Sequence, residues 1–231
     1  MKLKSVNPYT EKVMKVFSYE GLSSASKKLK ILNNNKEWAD KGVDFRASYI
    51  KNLASVLTKS KNECAELISK EMGKPIKQSI SEIEKCAWLC SYFSENAEEF
   101  LKDKYINTDF KKSFVTLQPL GVILGIMPWN FPFWQVFRFA IPAILLGNRI
   151  AVKHSSNVPQ CALKIEEMMN KALPRNVYKN IFLTGKDTEK VIASDFVSGV
   201  SMTGSTHAGS RVAEISGKNI KKTILELGGS D

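Results

Sequence analysis

The stretch RIAVKHSSNVPQCALKIEEMMNKALPRNVYKNIFLTG, residues 149–185, changes its hydrophobic period twice. RIAVKH (149–154) is short, apolar and β-rich. CALKIEEMMNKAL (161–173) repeats apolar residues every three or four positions, and YKNIFLTG (178–185) returns to a strand-like run. A strand, a helix and a second strand in close succession make a crossover unit, which joins parallel strands. The alternation continues in both directions. Upstream lie SFVTLQPL (113–120), GVILGIM (121–127) and a helical stretch over 133–146 that stops at Gly147-Asn148. Downstream come DTEKVIAS (187–194) as a helix, VSGVSMTG (197–204) as a strand, HAGSRVAEISG (207–217) as a helix and KKTILELGG (221–229) as a strand. This order predicts an α/β fold with a doubly wound, Rossmann-like parallel sheet. The first hundred residues read as helical. Apolar periodicity runs over 43–72 up to Gly73 and Pro75, and again over 76–101 through Ile80, Ile83, Ala87, Cys90 and Phe93.

Sheets of this class bind ligands beyond the carboxyl ends of their strands. MPWN, KHSSN, LTGK, MTGST and ELGGS all fall at such ends, so the fold gathers them along one edge. Gly204, Ser205 and Thr206 stand where a strand meets a helix. Free backbone N–H groups and the helix dipole there suit a phosphate, and the same residues also make an ordinary helix cap. No G-x-G-x-x-G is present, so a nucleotide would be held without the usual dinucleotide fingerprint. Lys153 follows a strand directly and could reach ribose hydroxyls or a phosphate, or snorkel at the surface. Glu226 lies among apolar neighbours, where burial would raise its pKa and suit a general base; the alternative is a partner for a nearby lysine. Asn130, between two prolines in PWNFP, can donate its side-chain N–H₂ to a developing oxyanion, or serve as a turn residue beside a packed tryptophan.

Composition narrows the class. With 231 residues and 43% hydrophobic content the chain can bury a substantial core. No run approaches the roughly 18 uninterrupted apolar residues of a membrane span, and MKLKSVNPYTEK lacks a signal-peptide core, so a cytoplasmic protein with no membrane partner is expected. The formal charge of +11 is spread along segments such as KSKNECAELISKEMGK, where lysines alternate with acids. That pattern fits a solvated helix face better than a nucleic-acid surface. Cys64, Cys86, Cys90 and Cys161 offer only one i, i+4 pair and no nearby histidine, so reduced buried thiols and no metal site are expected.

PWNFP, a strand leading to Lys153, TGS and LELGG, in that order, resemble the aldehyde dehydrogenase superfamily from the N-terminal helices to the last residue. The resemblance implies that Asn130 helps form the oxyanion hole and that Glu226 is the general base. It implies contacts to NAD or NADP from Trp129, Asn130, Lys153, Ser155, Ser156, Gly204 and Ser205, with Gly185 and Leu227 nearby. WNFPFWQVFRFAIPAILLGN and KHSSNVPQCA are similar to the succinate-semialdehyde dehydrogenase branch, which places Arg138 at the position of its carboxylate-binding arginine. A bidentate guanidinium suits a substrate ending in carboxylate; a helix-surface charge is the other reading. By the same resemblance, 1–104 are the N-terminal helical part of the cofactor domain, 105–120 the oligomerisation-type strands and 121–231 the NAD(P)-binding core. The substrate is then an aldehyde and the full-length enzyme a homo-oligomer.

Two departures shape the expectation. Many family members carry KPSE where this chain has Lys153-His154-Ser155-Ser156. Without that glutamate a 2′-phosphate is not repelled, so NADP is admissible beside NAD. The family's nucleophilic cysteine lies beyond LELGG, and none of the four cysteines sits in a matching context. The chain therefore reads as the cofactor-binding part of such an enzyme, inactive alone, with apolar surface left open. A non-catalytic nucleotide-binding remnant is the alternative.

Overall fold

A computed structural model describes residues 2–229, so Ser230 and Asp231 of the ELGGS stretch lie outside the described residues. The chain opens with a hairpin, not a helix: β1 (Lys2–Val6) pairs antiparallel with β2 (Val13–Ser18). Alternation in β1 buries Leu3 and Ser5 and turns the lysines outward. The connecting turn is fixed by Asn7, whose Oδ1 accepts from the amides of Tyr9 (2.9 Å) and Thr10 (3.2 Å).

Six helices follow: α1 (Leu22–Asn34), α2 (Glu37–Asp40), α3 (Val43–Lys59), α4 (Lys61–Met72), α5 (Ile76–Glu95) and α6 (Ala97–Leu101). The expected helix over 43–72 is broken at Ser60 (φ −99°, ψ 11°), and that over 76–101 at Asn96 (φ −106°, ψ 14°). Each break bends the chain while its apolar stripe continues, so periodicity alone does not mark it. Gly73 ends α4 at φ 82°, a left-handed cap that suits glycine. The strand expected over 113–120 contracts to a two-residue ladder between β3 (Lys104–Tyr105) and β4 (Phe114–Val115). This ladder leaves Tyr105 65%, Phe110 81% and Leu117 51% exposed.

The remaining elements alternate as the sequence predicts: β5 (Val122–Met127), α7 (Trp134–Leu146), β6 (Arg149–His154), α8 (Pro159–Ala172), β7 (Tyr178–Asn180), α9 (Gly185–Ala193), β8 (Gly199–Thr203), α10 (Thr206–Lys218) and β9 (Lys222–Glu226). The five strands form one parallel sheet in the order β7-β6-β5-β8-β9. From β5 the chain first winds outward to β7, then returns to β8 and winds the other way. The crevice beyond the carboxyl ends of β5 and β8 is therefore the topological switch point.

Successive residues of β5 face opposite layers. Ile123 and Met127 join a core with α3, α5, α7 and α8; Val122 and Leu124 join another with α1, α9 and α10. Gly125 admits close approach of α7, since a Cβ there would lie 2.2 Å from the Phe139 ring. On the α7 side, β8 and β9 are left uncovered. A groove of about 410 Å³ runs there past Leu120, Phe139, Ala143 and Ile224 to Arg138 and Glu226.

Candidate functional site

Because the sheet is parallel, the loops after its strands share an edge. Trp129 (47% exposed) and Asn130 project from the loop after β5. Asn130 Oδ1 accepts from the Phe131 amide at 3.2 Å, which leaves Nδ2 free to donate outward. Across the switch point, Ser205 caps α10. Its Oγ accepts from the Ala208 amide at 3.3 Å, and the preceding Gly204 donates its own amide to the Glu226 carbonyl at 3.0 Å. The cap reading of this segment is thus realised, while the helix dipole still faces the crevice.

Lys153 is half-buried at the end of β6, and burial pulls its ammonium below the ordinary lysine value. Ser155 turns its hydroxyl to Asn157 Oδ1 at 2.6 Å, and Ser156 is exposed. Gly185 opens α9 behind the Thr184 cap, and a Cβ at Gly185 would meet nothing within 4 Å. Leu227 packs against α10, where a Cβ at Gly209 would come within 2.4 Å of it. The crevice accordingly combines an aromatic wall, a helix N-terminus, a lysine and open space beside Gly185. That donor set fits a dinucleotide.

Arg138 and Glu226 meet across the groove. The Arg138 Nη2 donates to Glu226 Oε2, to Thr203 Oγ1 at 3.3 Å and to Gln135 Oε1 at 3.1 Å. Glu226 departs from the sequence expectation. It is exposed, not set among apolar neighbours, because β9 is an edge strand whose residues alternate between exposed and half-buried. Its partner is an arginine, where a lysine was the expected alternative. Arg138 in turn faces the groove, not solvent at large.

Other residues hold these loops without having been singled out in the sequence. His154 is buried; its Nε2 donates to the Pro132 carbonyl at 2.8 Å, and its Nδ1 accepts from the Ser155 amide at 2.9 Å. Burial lowers its pKa to about 4, so the ring is neutral at pH 7. Glu71 Oε1 and Oε2 accept from the amides of Gln160 (3.0 Å) and Cys161 (2.7 Å) at the start of α8. Glu82 serves the start of α7 in the same way. A carboxylate on the apolar stripe of an amphipathic helix, as Glu82 is between Ser79 and Cys86, is the sequence signal that could have found them.

The four cysteines are buried, and burial raises all four thiols, Cys64 to about 12. Among the described residues no group of three or more His, Cys, Asp or Glu is placed to hold a metal, and no helix is long and apolar enough to cross a membrane.

The geometry agrees with comparison to known proteins. The aldehyde dehydrogenase family profile matches residues 1–231. The succinate-semialdehyde dehydrogenase [NADP(+)] of Deinococcus radiodurans is 41% identical over 231 residues, spanning 98% of this chain and 48% of its own. The succinate semialdehyde dehydrogenase [NAD(P)+] of Escherichia coli is 35% identical over 229 residues, with 98% and 50% covered. The crystal structure of succinic semialdehyde dehydrogenase from Streptococcus pyogenes in complex with NADP+ superposes with a TM-score of 0.96 at 33% identity, covering 99% of this chain and 51% of that one. The chain thus spans about half the length of the curated relatives it matches, as the N-terminal portion of their sequence. On the profile match, the shared sheet and the order of its edge loops, the chain belongs to the aldehyde dehydrogenase family.

Proposed function

We propose that these residues are the cofactor-binding portion of an NAD(P)-dependent aldehyde dehydrogenase that oxidises succinate semialdehyde to the carboxylate. The observation that supports the reading is the parallel order β6-β5-β8, which brings Lys153, the Trp129-Asn130 loop and the capped N-terminus of α10 to the same carboxyl edge of the sheet. In this reading the pyrophosphate lies against Gly204 and Ser205, and Lys153 and Ser156 take the ribose end, where the absence of a carboxylate admits the 2′-phosphate of NADP. The dinucleotide supplies the hydride acceptor when bound. Asn130 Nδ2 donates to the oxyanion, and Glu226 draws the proton from the water that releases the acyl group.

The Arg138–Glu226 contact adds a consequence. A guanidinium engaged with Glu226 is not fully available to a substrate carboxylate, so a bound carboxylate would draw Arg138 away and free Glu226 as a base. The nucleophilic thiolate is not among the buried cysteines of these residues, so residues 1–231 by themselves would bind nucleotide without turnover. The short β3–β4 ladder and its exposed aromatics are the segment we assign to assembly of the whole enzyme.

Calorimetric titration with NADP+ and NAD+ tests the reading. Binding should weaken about tenfold, roughly 1.4 kcal/mol, in Lys153→Ala. A folded wild-type chain that takes up neither nucleotide sinks it.

A further inference from the structure

The segment beside Asn130 is held from the helical layer by two buried side chains. Glu82, on α5, has a side chain 1% exposed. Its Oε1 accepts from the amides of Phe133 (2.8 Å) and Trp134 (3.0 Å), at the start of α7. Phe133, at the N-cap position, has no side-chain acceptor of its own to offer. The other Glu82 oxygen, Oε2, takes Lys74 Nζ at 2.5 Å, and Lys74 is itself 3% exposed on its side chain. The Lys74 ammonium lies 3.5 Å from the centroid of the Phe131 ring, the residue next to Asn130. From the opposite side His154 holds the Pro132 carbonyl.

We propose that Glu82, braced by Lys74, is the positioning residue that sets the direction of Asn130. An ion pair serving only the helical layer would leave the loop amides to other partners. Here one carboxylate oxygen collects the two consecutive amides that join the Asn130 loop to α7, while the other fixes the side chain through Lys74. Phe131, Phe133 and Trp134 are thereby held, His154 holds Pro132, and Asn130 directly precedes this anchored segment. The inference rests on the oxyanion role proposed above for Asn130, but the anchoring it describes can be measured without that role.

The test is residue-resolved amide exchange by NMR on the 231-residue chain, with NADP+ affinity measured on the same samples. Glu82→Gln keeps an oxygen for both amides, so Phe133 and Trp134 should exchange within about threefold of wild type. Glu82→Leu removes the acceptor, and both amides should exchange at least about tenfold faster. Glu82→Asp keeps the charge for Lys74 and shortens the reach by one methylene, so it reports on the same amides even where the leucine variant fails to fold. In folded samples NADP+ binding should weaken at least about threefold with Leu or Asp and hold with Gln. Unchanged exchange at Phe133 and Trp134 in the Asp variant, or loss of protection in Gln as large as in Asp, would overturn the proposal. A wild-type chain that binds no nucleotide would instead overturn the proposed function and leave the exchange contrast standing.

Discussion

Replacing Glu71 should cost more stability than any single substitution on the crevice surface. Its carboxylate is 3% exposed, and its two oxygens take the amides of Gln160 and Cys161, the first of α8 after Pro159. A hydrogen bond to a charged group contributes about 1.5–3 kcal/mol, and the positive end of the helix dipole adds to that. Glu71→Ala deletes both bonds, leaves two amides beneath the β1 hairpin short of an acceptor, and opens a small void. We expect a loss of about 3–5 kcal/mol, a large part of a typical 5–15 kcal/mol reserve. Glu71→Gln keeps one good acceptor and the volume, and should lose about 1–2 kcal/mol. Urea unfolding followed by circular dichroism reads both. The refuting result is an alanine variant within 1 kcal/mol of wild type, or a glutamine variant as damaging as alanine, since either would mean that the two amides do not depend on this carboxylate.

Three further outcomes follow from buried groups. Lys74→Met strands the Glu82 carboxylate and should destabilise by about 3 kcal/mol, whereas the double variant Lys74→Met/Glu82→Gln should recover at least about 1 kcal/mol of that; additive losses in urea unfolding would contradict the pairing. His154 has a folded pKa of about 4 against 6.5 unfolded, so the unfolded chain binds the extra proton between those values. Stability should therefore be full at pH 7 and fall by up to about 3 kcal/mol as pH drops toward 4, and His154→Gln should flatten that slope in a pH series of unfolding curves. All four thiols are buried and raised, so the native chain should react with a thiol reagent at pH 8 only on unfolding; a fast-reacting cysteine would contradict the burial.

The crossover units were legible because each signal is local. RIAVKH, the helix to its C-terminal side and the Gly147 stop, where φ is 108°, need no distant partner to be read. The edge loops follow from the same rule, since parallel strands leave their carboxyl ends together. Elements that depend on tertiary context were not legible. A continuous apolar stripe conceals the breaks at Ser60 and Asn96. The alternation of Lys2, Leu3, Lys4 and Ser5 is a strand signal that a helical reading of its surroundings overrides. Glu226 looks buried within TILEL, but at the sheet edge half of that strand faces outward. Glu71, Lys74 and Glu82 lie in no motif, and His154 sits inside the KHSS stretch without a role readable there, because their partners are backbone groups and neighbours that only the fold brings near.

The central claim is that nucleotide occupies the crevice between β5 and β8. Hydrogen–deuterium exchange of the chain with and without saturating NADP+ tests it most directly. Protection should appear at residues 203–208 and 153–156 and in the Trp129-Asn130 loop. Protection confined to another surface, such as the mixed-charge groove between Lys15, Glu66 and Lys164, with none at the start of α10, would contradict it.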